Sequence, residues 1–372
     1  MRHNEHPTPV MELNSEVAHP WSRERANEWS EKNGWLVGCN YIPATAINQL
    51  EMWQAETFDP FLIDKELSWA AGLGFNTIRV FLHHLVWEQD PQAYLQRIDQ
   101  FLSIAWKHGI RTMFVFFDAV WDPFPKAGLQ PEPRHNVHNS GWVQCPGFDV
   151  LNDASRYDGL RGYVQGIVSH FKNDERVLIW DVYNEPDNMN LASYKDDQYV
   201  QHKAELSLQL LKKAINWIRA LDPVQPLTMA PWQWSDLDSL SELDHFMFTQ
   251  CDVLSFHCYE NREGMERRLL SLKKYGRPML CTEYMARAFD STFQEILPLL
   301  KEHGVGAYNW GFVQGKSQTH CPWDSWELAY ENEPELWFHD IFRTGGEPYR
   351  AAEVAFLQEI TRKEVVTEQK VA

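Results

Sequence analysis

Two glutamates stand where an apolar run gives way to loop. Glu185 follows Val177–Tyr183 in the triplet Asn184-Glu185-Pro186, and Glu283 closes Pro278–Thr282. Cleavage of a glycosidic bond with retention requires such a pair: a proton donor for the leaving oxygen and an anion facing the anomeric carbon, about 5–5.5 Å apart. The triplet alone is also a plausible turn after a strand, so the chemistry depends on elements that bring both acids together. Their separation of 98 residues (283 − 185) equals three strand-and-helix units of roughly 33 residues.

Those units are visible along the chain. Apolar, β-rich runs occur at Trp35–Tyr41, Thr77–Leu82, Thr112–Asp118, Val177–Tyr183, Pro226–Trp232, Val253–Tyr259, Pro278–Tyr284 and Val305–Phe312. Near-continuous hydrophobicity is expected of parallel strands buried on both faces. Between them lie amphipathic stretches at Phe61–Ala71, Ala93–His108, Leu160–Phe171, Gln201–Leu221 and Glu266–Tyr275, with Gly109 and Gly276 as helix stops. Eight β-then-α units predict an α/β fold, a (β/α)8 TIM barrel, with an open doubly wound sheet as the alternative. The open sheet would carry a glycine-rich first turn, which Cys39-Asn40-Tyr41-Ile42-Pro43 lacks. The expected organisation is an extension with a capping helix over 1–34 (the helix at Trp21–Asn33), a single barrel over 35–362, and a frayed tail over 363–372. The long segment Ala119–Ser155 after the third strand is read as a wall over the active-site mouth.

With Glu185 and Glu283 at the ends of strands four and seven, the chain resembles glycoside hydrolase clan A. Within it the chain is most similar to the family 5 cellulase and mannanase group, with the family 2 catalytic domain a close relative, over roughly residues 35 to 345. The resemblance implies that Glu185 is the acid/base and Glu283 the nucleophile, and that Asn184 hydrogen-bonds the sugar 2-hydroxyl. It further implies that Arg79 supports the nucleophile, that His257 and Tyr259 form the strand-six His-x-Tyr with Tyr259 donating to Glu283, and that Trp310 is the platform beneath the sugar. The chain departs from family 5 at Thr282, where glycine is common, and at Asp118-Ala119-Val120-Trp121, which lacks the usual histidine. These departures bear on sugar specificity more than on mechanism.

His83-His84 follow the second strand instead. Adjacent strand residues face opposite ways, so they are not expected to hold a metal, and one of them is expected to reach sugar hydroxyls. Trp121, Trp142 and Trp232, with His138 and Asn139, lie at strand ends or in the long segment, where they either contact sugar or pack. Trp323 and Trp326 carry the same two readings, while Asp122, Asp236 and Asp324 read as caps or solvated acids. Gly311–Ser317 resembles a phosphate loop, but has three residues between its glycines where four are needed.

The bulk composition narrows the partners. A net charge of −18 argues against nucleic acid and anionic membranes and favours a neutral or cationic small substrate. The six cysteines show no CxxC pairing and the N-terminus no apolar signal core, so a cytoplasmic location is expected. No cofactor is expected, and the oligomeric state is not legible. The expected activity is retaining hydrolysis of short neutral β-linked oligosaccharides, from the chain end, through a covalent glycosyl-enzyme. Alternatives are transglycosylation on the same residues, endo-action on a β-glucan or mannan, and a carbohydrate-binding pseudoenzyme.

Overall fold

A computed structural model of the protein describes residues 17–191, 202–234 and 237–362. The first sixteen residues of the expected extension, Gln201 of the fourth helical pattern, Asp236 and the tail 363–372 lie outside the described residues.

Eight parallel strands form where the apolar runs predicted them. They are β1 Val37–Asn40, β2 Thr77–Phe81, β3 Arg111–Asp118, β4 Val177–Asn184, β5 Leu227–Ala230, β6 Leu254–His257, β7 Met279–Tyr284 and β8 Gly306–Asn309. The order β5-β4-β3-β2-β1-β8-β7-β6 bends the sheet into a nearly closed barrel. Its two edge strands are tied together by Asp252 N donating to Leu227 O at 2.8 Å, and by Thr228 Oγ1 donating to Val253 O at 2.7 Å. Close approach of β1 and β2 requires Gly38, because a Cβ there would lie 1.7 Å from Thr77 O.

Helices α1 Arg23–Asn33, α2 Gln49–Trp53, α3 Pro60–Gly72, α4 His84–Gln89, α5 Pro91–Lys107, α6 Phe148–Leu151 and α7 Tyr157–Phe171 cover the first half. In the second half stand α8 Lys203–Arg219, α9 Glu242–Gln250, α10 Arg262–Leu272, α11 Phe293–Glu302 and α12 Ala351–Ile360. Helix α5 shows why such segments fold. Asp90 caps it, Pro91 opens it, and Tyr94, Leu95, Ile98, Phe101, Leu102 and Ala105 recur at helical spacing on its buried face. Its chain then turns at Gly109, in the left-handed region at φ 72°.

The barrel interior holds Leu36, Met113, Leu178, Ile179, Val253, Leu280 and Tyr308, and Trp29 of α1 packs against them. Helix α1 is thus joined to the barrel interior through Trp29.

One expectation is corrected by the boundary of β2. The strand ends at Phe81, so Leu82-His83-His84 does not continue it. His83 is instead the N-cap of α4, its Nδ1 accepting from Leu85 N at 3.2 Å, and His84 is the helix's first residue. Their rings stack at 4.9 Å rather than facing opposite ways.

Candidate active site

The C-terminal ends of the strands open into a cleft of about 970 Å³. Strand β4 delivers Asn184 and then Glu185, whose N–H donates to Ala230 O of β5 at 2.8 Å. Glu185 sits at φ 46°, in the left-handed region. Because the residue before a proline prefers extended backbone, that conformation carries a steric cost of about 1–3 kcal/mol. Strand β7 carries Glu283, and a register shift between Phe256 and His257 sets His257 of β6 opposite it.

One carboxylate oxygen of Glu185, one of Glu283 and a ring nitrogen of His257 lie within 4.8 Å of one another. His257 Nδ1 is 2.7 Å from Glu185 Oε1 and 3.7 Å from Glu283 Oε2. The remaining contacts differ for the two acids. Glu283 accepts from Tyr259 Oη at 2.7 Å and from Arg79 Nη1 at 3.2 Å. Glu185 Oε2 accepts from Asn188 Nδ2 at 2.6 Å.

Arg79 is fully buried and also donates to Asp181 at 2.9 Å, to Asn40 Oδ1 at 2.9 Å and to Asn184 Oδ1 at 2.7 Å. Asn184 in turn donates to Asp118 Oδ1 at 3.0 Å, and the other oxygen of Asp118 takes Trp142 Nε1 at 2.6 Å. This frame fixes Glu283 and the asparagine before any substrate arrives, while His257 and Asn188 hold Glu185.

Burial dominates the proton affinities. It pushes Glu185 up to about 7, against the opposing pull of Asn188, Arg79 and Lys203. Burial also raises Glu283, where His257 lowers, Glu185 raises, and Arg79 and Tyr259 lower. The same burial lowers His257 to about 4, so its imidazole is neutral at ordinary pH. An arginine and a phenol hydroxyl both donate to Glu283 and favour its ionised form, whereas the Glu185 carboxyl is met by the Asn188 amide and the His257 ring.

Asn184, Glu185, His257, Tyr259, Glu283, Trp310, Trp121, Trp142 and Trp232 all line the cleft. Trp310 meets Phe81 and Trp142 edge-on, at 6.0 and 5.6 Å. Trp323 also lines the cleft, whereas Trp326 stands behind it, stacked on Trp121 at 5.0 Å. Arg79 is not part of the cleft lining; it donates from behind to Glu283 and Asn184, so it makes no direct sugar contact.

His83 and His84 do not reach it either, which corrects the expected sugar contact. Both are buried, and Gln144 O holds His83 Nε2 at 3.0 Å while Cys145 Sγ lies 3.4 Å from His84 Nδ1. Contrary to the reasoning from strand alternation, ligand atoms of His83, His84 and Cys145 do converge within 4.8 Å. Both ring nitrogens of His83 are already engaged in hydrogen bonds, so the trio reads as packing around a helix cap.

Sequence reasoning passed over Asn40, Asp118, Asp181, Asn188 and Lys203. The available signal was the polar residue in an otherwise apolar strand, at its end in Asn40 and Asp118 and inside it in Asp181. For Asn188 and Lys203 no signal exists short of the folded loops.

The family model "Cellulase (glycosyl hydrolase family 5)" matches residues 45–326. No curated protein sequence matches the chain. Among solved structures, a GH5_18 protein from Streptomyces cattleya in complex with Manβ1-4GlcNAc is similar at TM-score 0.59 and 15% identity, over 90% of this chain and 82% of that one. An exo-β-1,4-mannosidase, Op5Man5, from Opitutaceae bacterium strain TAV5 is similar at TM-score 0.54 and 19% identity, over 88% and 59%. A Bacteroides uniformis β-glucuronidase 2 gives TM-score 0.58 and 15% identity, over 89% of this chain but 35% of its own. The chain thus spans about a third of the glucuronidase and about three-fifths of the mannosidase. At such identities these likenesses speak to fold alone, but the family match covers most of the barrel and both glutamates. The chain belongs to glycosyl hydrolase family 5.

Proposed function

We propose that the chain removes terminal sugars from short, neutral β-linked oligosaccharides with retention, Glu283 attacking and Glu185 serving as acid and then base. The proximity of the two carboxylates, with oxygens within 4.8 Å, carries this reading, because an inverting enzyme needs room for a water between them. Glu185 protonates the leaving oxygen while Glu283 bonds the anomeric carbon. Water then attacks that carbon, its proton goes to Glu185, and the bond to Glu283 breaks.

Action at a chain end is supported by the way the segment after β3 is fastened to the segment after β8. Asn139 N donates to Ser317 O at 2.9 Å, His138 N to Ser325 Oγ at 3.0 Å, and Trp326 Nε1 to His138 O at 2.8 Å. Gln318 Nε2 reaches back to Val137 O at 3.0 Å. This clasp walls one side of the cleft. There the buried Asn139 belongs to the cleft lining, and among the described residues its Oδ1 has no hydrogen-bond partner. Neutrality of the substrate is supported by the lining, where Asp118, Asp244, Glu260 and the two glutamates face Arg268. That arginine is already paired with Glu260 at 2.7 Å.

The test is to follow the anomeric proton by NMR during cleavage of aryl β-glycosides (gluco, galacto, manno, xylo) and to size products from linkage-defined oligosaccharides. A β-product released one sugar at a time is expected. Initial release of the α-anomer would overturn retention, and internal cleavage of long chains would overturn terminal action.

A further inference from the structure

Asn188 Nδ2 lies 2.6 Å from Glu185 Oε2. Its amide cannot turn over, because Asn188 Oδ1 accepts from Asn190 N at 2.9 Å, so the group facing Glu185 is a donor only. The backbone behind it is held as well. Lys203 Nζ, buried at the start of α8, donates to Asn188 O at 2.6 Å and to Ala119 O at 2.7 Å. Asn190 Nδ2 donates to the same two carbonyls, at 3.1 and 2.7 Å. Asn190 Oδ1 receives Trp121 N at 2.8 Å, so the loops after β3 and β4 are buckled together at this point.

We propose that Asn188, held by Lys203, is a positioning residue that favours the carboxylate form of Glu185 and so speeds the second, water-consuming step at the expense of the first. This rests on the reading of Glu185 as the acid/base. The two neighbours of Glu185 are unequal. A neutral His257 can donate from Nδ1 to the carboxylate or accept there from the carboxylic acid, by exchanging tautomers, and among the described residues its Nε2 has no partner to resist the exchange. The locked amide of Asn188 follows only one state. Its hydrogen bond stabilises the anion that must take a proton from water when the bond from the sugar to Glu283 breaks. The other charged or titratable groups around Glu185 are Glu283 on β7, Arg79 on β2, Asp118 on β3, Tyr259 just after β6, Asp187 on its own loop and Lys203 on α8. Removing Asn188 leaves these in place.

The experiment compares wild type, Asn188→Ala, Asn188→Asp and Lys203→Met on two β-glycosides of one sugar. The first has an activated aryl leaving group, which makes the second step limiting, and the second has a poor alkyl leaving group, which makes the first step limiting. For Asn188→Ala, kcat on the activated substrate is expected to fall about tenfold. The alkaline limb of kcat/KM on the alkyl substrate is expected to rise by about one pH unit, with little loss of rate. Asn188→Asp moves the limb further, and Lys203→Met moves it the same way by less. Equal losses on both substrates with an unmoved limb would make Asn188 merely structural and overturn the proposal. If Lys203→Met does not fold, the Asn188 pair decides alone. Glu185→Ala separates the two readings: if it keeps turnover and azide gives no rescue, the acid/base assignment fails, whatever Asn188 does.

Discussion

Arg79 and Glu283 meet at 3.2 Å with no surface of the arginine open to solvent. The contact ties β2 to β7 across the barrel, and the same guanidinium holds Asp181 at 2.9 Å. Arg79→Met would leave two buried acids without their cation. A loss of about 3–5 kcal/mol in stability is expected, with kcat/KM down on the order of 10²–10³-fold. Arg79→Lys restores the charge but not the fork that serves four side chains, and should recover most of the melting temperature and little of the rate. Recovery of the full rate by lysine would show that charge alone suffices.

The pH–rate profile follows from the two glutamates. The first step needs Glu185 protonated, so kcat/KM should decline as pH rises through about 7. It also needs Glu283 ionised, and since burial raises that group, the acid limb should stand above the usual carboxylate range. A narrow, mildly acidic optimum is expected. A rate still climbing beyond pH 8.5 would contradict the assignment.

Stability should follow pH for a separate reason. Glu66, Asp118, Glu185 and Asp187, each raised by burial to about 7, bind protons more tightly folded than unfolded. Their contribution is complete below their ordinary values and is lost as pH rises through about 7. Burial lowers His83 and His138 to about 3 and His257 and His320 to about 4, so these withdraw stability as pH falls below 6.5. Between about 4.5 and 6.5 the two sets oppose each other. Thermal unfolding should therefore peak within that window and fall off on both sides.

The clasp over the cleft can be loosened without touching either acid. Gln318 Nε2 bonds Val137 O at 3.0 Å and Arg134 O at 2.6 Å, and Asn136 N bonds Gln318 Oε1 at 2.9 Å. Gln318→Ala removes all three contacts. If the clasp limits the cleft to chain ends, the variant should gain several-fold on oligosaccharides of four or more units relative to disaccharides. An unchanged ratio would mean that the wall does not set chain length.

Gly38→Ala probes the barrel seam. A Cβ 1.7 Å from Thr77 O forces β1 and β2 apart, with an expected loss of about 3 kcal/mol or more and failure to express at elevated temperature. A melting temperature within 2 °C of wild type, roughly the effect of less than 1 kcal/mol, would show the seam to be slack.

The barrel and both glutamates were legible because parallel strands buried on two faces leave unbroken apolar runs, and each acid interrupts the end of one. The frame around them was not. Asp118, Asp181 and Asn40 are single polar residues inside such runs, and nothing in one dimension says that they point at Arg79. His83 shows the opposite failure. Leu82-His83-His84 has no local mark of a helix start, and the cap became visible only once β2 ended at Phe81. Asn188 and Lys203 meet across a loop, so their relation exists only in three dimensions.

The left-handed backbone at Glu185 has an evolutionary corollary. A glycine would relax this position and remove a buried carboxyl. Glu185→Gly should therefore fold at least as firmly as the parent while losing catalysis. Drift toward sturdiness and selection for turnover oppose each other at this one residue. A family member freed from its chemistry would be expected to lose this glutamate early, and to become harder to melt as it did so.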